Sequence, residues 1–227
     1  MSKEHRIGLG GLDLIPDLSG ALFIPSLRSL LVADLHLEKA SNMARRGVHL
    51  PPYDTRASLA LLEAVIAETM PETLIFLGDS FHDDGARDRI DEADLARLRD
   101  VTSRIDTIWI TGNHDPNPPQ DIGGRIVAEV ALGNIMLRHE PSKLAEGECE
   151  IAGHLHPGAA VSQRGKRIHC KCVIGNDRRL IMPAFGSFTG ALSISAEPFK
   201  KIFSAKDFHV WMLGARAIYK FPAKRVS

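Results

Sequence analysis

A chain of 227 residues, 44% of them hydrophobic and without any run approaching the roughly 18 apolar residues of a membrane span, predicts a soluble globular protein with a sizeable core. Its three cysteines, Cys149, Cys170 and Cys172, make no disulfide framework, and its start, MSKEHRIG, is polar with no apolar stretch behind it, so a cytoplasmic protein without a secretory signal is expected. The formal net charge of zero hides an asymmetry: residues 1–140 hold 14 Lys and Arg against 22 Asp and Glu, a balance of −8, and residues 141–227 hold 14 against 6, a balance of +8. The basic part either faces an anionic partner or is solvated surface.

In chain order, short strands are predicted at Leu12–Ile15, Ala21–Ile24 and Ser29–Ala33, with Pro, Gly, Asp and Ser marking the turns. The last runs into Asp34-x-His36. On an extended chain, residues two apart point the same way, so a carboxylate and an imidazole would leave the strand side by side, as divalent cations require. Glu38–Tyr53 reads as a polar loop holding Arg45, Arg46 and His49. A helix follows, with Asp54 as N-cap, Leu59, Leu62, Val65, Ile66 and Met70 at 3–4 spacing, and Pro71 as stop. Strand Thr73–Leu77 feeds Gly78-Asp79. A second helix, Asp91–Arg104, runs from acidic to basic, which suits its dipole. Strand Thr107–Ile110 feeds Gly112-Asn113-His114-Asp115. From Arg125 onward only strands are predicted: Ile126–Val130, Ile135–Arg138, Cys149–Ala152, Arg167–Val173, Leu180–Met182, Ala191–Ser195, Phe208–Leu213 and Ala217–Phe221. The whole reads as one domain, 1–227, of two sheets with helices outside, and the tail Pro222–Ser227 is expected to fray.

Five clusters follow predicted strands: Asp34-x-His36, Gly78-Asp79, Gly112-Asn113-His114-Asp115, His139 and Gly153-His154-Leu155-His156. All offer oxygen or imidazole nitrogen and none a thiolate; Cys170-x-Cys172 reads as ordinary strand packing. One histidine at a strand end is usually a satisfied polar residue, but a series of such ends separated by apolar strands points to one pocket. His82, Asp83 and Asp84 follow Asp79 closely, and His82 either lines the site or sits in a surface loop. His5, His49, His169 and His209 have no partners in sequence.

In order and spacing these motifs resemble the signature of the calcineurin-like metallophosphoesterases over Leu30–His156. Leu50–Ile66 and Leu180–Leu192 further resemble the bacterial ligase-associated DNA damage response endonucleases. The resemblance implies an α/β fold, a four-layer αββα sandwich of two mixed β-sheets packed face to face and flanked by helices. It also implies two divalent metal ions, manganese first, with iron and zinc as alternatives. Asp34, His36 and His156 would hold one, Asn113, His139 and His154 the other, and Asp79 would bridge them. His114 would face the substrate phosphate as a catalytic residue, with Asp115 either orienting its ring or closing a turn. His82, Arg45 and Arg46 are the substrate-binding candidates. Two cations about 3.5–4 Å apart need a shared carboxylate and a shared hydroxide between them, and that hydroxide is the expected nucleophile at phosphorus. The implied activity is a phosphodiesterase, a DNA endonuclease in DNA repair. Its implied partners are DNA and repair proteins such as a ligase and a helicase, with no membrane; a homodimer is compatible with the resemblance. The alternatives are a phosphodiesterase or phosphatase acting on a small nucleotide or lipid-linked pyrophosphate, and an inactive scaffold of the same fold, against which His114 speaks.

Overall fold

Leu30 and Val32 pack to one side of their strand and Leu31 and Ala33 to the other, and all four are fully buried. A strand with that pattern lies between two apolar layers. It belongs to the first of two sheets in the computed structural model, which describes residues 5–48, 50–163, 165–203 and 207–227. His49 lies outside the described residues.

The first sheet takes its strands in sequence order: β1 (Ile7–Leu9), β2 (Leu12–Pro16), β3 (Leu22–Ile24), β4 (Ser29–Val32), β5 (Thr73–Leu77), β6 (Asp106–Ile110) and β7 (Arg125–Val127). The first four are antiparallel and β4 to β7 are parallel. Three helices fall between them: α1 (Lys39–Arg45), α2 (Asp54–Thr69) and α3 (Glu92–Arg104). The second sheet contains β8 (Val130–Leu132), β9 (Ile135–Arg138), β10 (Cys149–Ala152), β11 (Pro157–Gln163), β12 (Lys166–Gly175), β13 (Arg179–Ile181), β14 (Leu192–Ser193), β15 (His209–Leu213) and β16 (Ile218–Pro222), with α4 (Glu197–Ile202) before β15. It too is mixed: β10 is parallel to both β9 and β13, while β12 is antiparallel to β11, β13 and β15.

Three apolar layers hold the stack. Leu31, Ala33, Ile75, Leu77, Ile108 and Ile110 of the first sheet meet Leu137, Ile151, Val173, Leu180 and Trp211 of the second. The outer face of the first sheet packs Phe76 and Trp109, stacked at 4.1 Å, near Leu59 and Leu62 of α2 and Leu95 and Leu98 of α3. The outer face of the second packs Ile174, Val210 and Met212 with Phe199 of α4 and Phe203. The order is helix, sheet, sheet, helix, as the resemblance implies. No helix among the described residues is long and apolar enough to cross a membrane.

Several local expectations change. The loop Glu38–Tyr53 contains α1. Asp54 is the first residue of α2 rather than its cap; its buried carboxylate accepts Ala40 N–H instead, tying α1 to α2. The cap of α3 is Asp91, whose side chain accepts from Ala93 N–H. Ile126–Val130 is not one strand, because the chain crosses there from the first sheet to the second. The region after Arg125 is not free of helix, since α4 covers one outer face. The tail is tied down: Ser227 and Ala160 exchange backbone hydrogen bonds, and Val226 is buried.

Candidate metal centre

Chain segments leaving β4, β5, β6, β9 and β10 carry the polar clusters, the position at which open α/β sheets place their sites. His36 N–H donates to Asp79 O at 2.9 Å, and Gly153 N–H to His139 O at 3.0 Å. Across the two sheets, both carboxylate oxygens of Asp34 accept His154 N–H, at 3.2 and 3.0 Å. Asp34, His36, Asp79, His154 and His156 all have φ between 45° and 66°. A left-handed residue other than glycine costs about 1–2 kcal/mol, and such strain gathers at functional sites. Asp34 and His36 are therefore brought together by two left-handed residues around Leu35, not by an extended chain.

Three groups of ligand atoms result: Asp34, His36 and His156 in one, Asp79, His139 and His154 in a second, and His36 again with His82 and His114 in a third, all-imidazole group on the more exposed side; the first two contain the carboxylates. His36 Nε2 lies 3.3 Å from His156 Nε2, which lies 3.1 Å from Asp34 Oδ1. His139 Nε2 lies 3.2 Å from His154 Nδ1 and 3.0 Å from Asn113 Oδ1. Asp79 stands between the first two, Oδ2 3.8 Å from His36 Nε2 and Oδ1 3.4 Å from His139 Nε2. A carbonyl can only accept, so the 2.9 Å contact of His139 Nδ1 with Leu77 O puts a proton on Nδ1 and makes Nε2, once it gives up its own proton, the atom that would meet a cation.

The electrostatics favour added positive charge. Burial, partly offset by Asp79, and then the imidazoles of His156, His114 and His82 push His36 down to about 2, so its ring is neutral. Burial would raise Asp79, but the His139 hydrogen bond and charge and the His114 N–H hold it at about 2. Burial would also lower His139, yet Asp79 and Asp34 lift it to about 9. A buried imidazole that gathers a proton against its own desolvation marks a place where a cation is stabilised. Nitrogen and oxygen donors in this number fit divalent metals.

The sequence profile of the calcineurin-like phosphoesterases matches residues 27–170. The chain belongs to the calcineurin-like phosphoesterases. It resembles the crystal structure of Pseudomonas putida nuclease MPE with 30% identity and a TM-score of 0.75, over 96% of this chain and 99% of that one. Yfce, a phosphoesterase from E. coli, matches at 16% identity and a TM-score of 0.43, over 86% of this chain and 98% of that one. No curated protein matches significantly. The protein is thus a metal-dependent phosphoesterase, and its two carboxylate-bearing clusters fit the binuclear divalent centre of the family.

In this calcineurin-like phosphoesterase, motif glycines make room for ligands. A β carbon on Gly112 would stand 2.2 Å from Asp79 Oδ1, and one on Gly78 would stand 2.4 Å from His139 Nδ1. Asp115 does not reach the ring of His114. Its buried carboxylate accepts four backbone N–H groups, Asp79 and Gly112 on Oδ1, Ser80 and Phe81 on Oδ2. Burial and the Asp79 charge push it up to about 7, while the N–H bonds pull the other way. The ring of His114 is oriented by His82, whose carbonyl accepts its Nδ1–H at 2.9 Å. His82 Nδ1 also lies 3.4 Å from His36 Nδ1, so His82 lines the site rather than an outer loop. Arg45 and Arg46 are exposed at the end of α1, on a recess of about 450 Å³ with Asn42, Asp83 and Asp84. Lys171 was not singled out by any motif. Its Nζ donates to Ala184 O, Gly186 O and Thr189 Oγ1 at 2.7–2.9 Å, fixing the loop after β13 against the Asp34 turn. His169 and His209 are exposed on strands, away from these clusters.

Proposed function

We propose that the chain is a binuclear, manganese-dependent phosphodiesterase that cuts DNA internally in the course of repair, in the cytoplasm and beside partners such as a ligase and a helicase. The carrying observation is Asp79, one oxygen turned to each ligand group, as a carboxylate shared by two cations must be. Likeness to a nuclease over nearly the whole chain supports the choice of nucleic acid. Asp34, His36 and His156 hold one cation, Asn113, His139 and His154 the other. A bound pair supplies a water of lowered pKa and neutralises charge on the phosphoryl oxygens. His114 is exposed and held through Nδ1, which leaves Nε2 without a hydrogen-bond partner among the described residues; protonated there, it donates to the leaving oxygen of the broken ester. His82 sets that ring, and Arg45 and Arg46 receive neighbouring phosphates. The 227 residues act as one domain.

The test is a panel of single-stranded DNA, duplex DNA, RNA, an aryl phosphodiester and an aryl phosphomonoester, each with manganese-loaded and metal-stripped protein. DNA cleavage is expected only with metal, with affinity falling steeply as salt rises. His114→Ala is expected to abolish DNA cleavage and leave metal content nearly intact. Turnover confined to the small esters, without salt dependence, overturns the nucleic-acid reading.

A further inference from the structure

Part of the basic charge of residues 141–227 lies on a strand that runs up to the metal centre. β12 is paired with β15 only over Cys172–Gly175, so its first half, residues 166–171, has β11 as its one strand partner among the described residues and stands at an edge. Alternate residues of a strand line one face. On this half they are Arg167, His169 and Lys171, opposite Ser162, Ala160 and Gly158 of β11. Lys171 shows where that face looks: its Nζ holds Ala184 O and Gly186 O, and Gly186 N–H in turn donates to Asp34 O at 3.3 Å. No Asp or Glu occurs on β11, β12 or β14.

The next residue outward on that face, His169, stands one step outside the ligand clusters. A recess of about 430 Å³ is lined by His154, Leu155 and His156 together with Gly190, Ala191 and Leu192. A β carbon on Gly158 would stand 2.6 Å from Ala191 Cβ and 2.9 Å from His169 Cε1. The methyl group of the recess wall and the edge of the imidazole thus flank one point, and a residue without a side chain leaves both in place. Leu192 N–H donates to His156 O at 2.8 Å and Ile194 N–H to Gly158 O at 3.0 Å, which ties the wall to the segment that carries the ligands. His169 and Arg167 are both exposed, and neither is in an ion pair among the described residues. The His169 ring has no hydrogen bond to them, and the Arg167 guanidinium reaches Ser227 Oγ alone, at 3.5 Å. Two residues of strand set His169 and Arg167 about 7 Å apart, a spacing of the same order as successive phosphates of an extended single strand.

We propose that His169 and Arg167 form a phosphate track for one arm of the strand being cut, leading from the metal centre over Ala191 and out along β12. The inference rests on the nucleic-acid reading above and gives the substrate a direction across the protein. An imidazole N–H and a guanidinium both donate to phosphate oxygens, and such contacts fix register and orientation without reading sequence. Lys171, at the inner end of the row, is committed to carbonyls and holds the floor of the track. An ester with a single phosphate ends at the metals and does not meet these residues. The track therefore acts on polymer binding, while the metal ligands act on the ester.

The test measures kcat and KM for a single-stranded oligonucleotide and for an aryl phosphodiester over a range of salt, with manganese-loaded wild type, Arg167→Ala, His169→Leu and, as a control, Lys201→Ala from α4 on the outer face of the same sheet. Arg167→Ala is expected to raise KM for the oligonucleotide about 2- to 5-fold, the range of an exposed ion pair. It is also expected to flatten the slope of log(kcat/KM) against log salt by about 0.7, the share of one phosphate on a single strand. His169→Leu is expected to raise the same KM, and Lys201→Ala to change neither quantity. Metal content and hydrolysis of the aryl phosphodiester are expected to match wild type, which separates the track from damage to the fold. Two further strands carry uncharged methylphosphonates on one side of the cut or on the other. The loss in Arg167→Ala is expected to vanish with one of them and persist with the other. Arg167→Ala and His169→Leu variants with wild-type KM and salt slope, a Lys201→Ala variant that loses as much, or a loss that persists on both modified strands overturns the track and leaves the nuclease reading standing. A wild-type protein that hydrolyses the aryl phosphodiester but no oligonucleotide overturns the nuclease reading, and the track with it.

Discussion

Replacing Asp115 by Asn keeps the size of the side chain and removes one acceptor. In the wild type Oδ1 takes the N–H groups of Asp79 and Gly112 at 2.9 and 3.0 Å, and Oδ2 those of Ser80 and Phe81 at 2.8 and 3.1 Å. An amide has one oxygen, so either rotamer turns an NH2 group onto two backbone donors. Each buried donor left without an acceptor costs about 1–3 kcal/mol, or about 2–6 kcal/mol for the pair, against a total stability of about 5–15 kcal/mol for such a domain. Two of the four anchored residues frame the carboxylate between the clusters: Asp79 itself, and Gly112, whose backbone lies against it. Metal affinity is therefore expected to fall together with stability. Urea unfolding of Asp115→Asn with and without manganese, alongside metal analysis of the purified variant, measures both. If the variant unfolds within about 1 kcal/mol of wild type, keeps its metal, and differs only in kcat and the pH profile of the rate, Asp115 acts through the His114 ring and the clamp reasoning is refuted.

Gly112→Ala is expected to strip the protein of metal, because the added carbon overlaps Asp79 Oδ1; a variant with wild-type metal stoichiometry would show that the turn can yield. Chelation is expected to lower the melting temperature reversibly, since a cation present at about 1,000 times its Kd adds about 4 kcal/mol to folding; equal melting curves for loaded and stripped protein would oppose a resident metal. Burial, then the charge of Lys39, push Lys171 down to about 8 although Asp34 pulls upward. Between that value and the unfolded pKa of about 10.4, the unfolded chain binds more protons than the folded one, so stability rises with pH across the window. Wild type is expected to gain on Lys171→Met there by up to about 1.4 kcal/mol per pH unit, read by urea titration at pH 8, 9 and 10; a flat difference would mean that Lys171 stays charged.

Much of the fold could be read along the chain. The strands at Thr73–Leu77, Ile135–Arg138 and Cys149–Ala152 fall where their apolar runs lie, and α2 follows its 3–4 spacing through Leu59, Leu62 and Val65, ending at Thr69 with Met70 as an exposed left-handed cap rather than part of the apolar face. These features are local: burial on one or both faces writes its own period into the residues that suffer it. The ligand chemistry was equally legible, because a divalent cation demands oxygen and nitrogen donors and each motif names its donors. Other features depend on partners far away in sequence. Val127 and Val130 look like one strand, and only the packing of two sheets sends them to different ones. β11, PGAAVSQ, has a small-residue composition that gives little strand signal, and exists because β12 and the chain terminus pair with it. The left-handed turn at Asp34 and His36, the amide clamp of Asp115 and the hold of Lys171 on the loop after β13 likewise leave no local pattern. Side-chain type and period fixed which atoms could bind and which faces were buried; their meeting at one edge was decided by pairings between distant parts of the chain, such as that of Asp34 with His154, 120 residues apart.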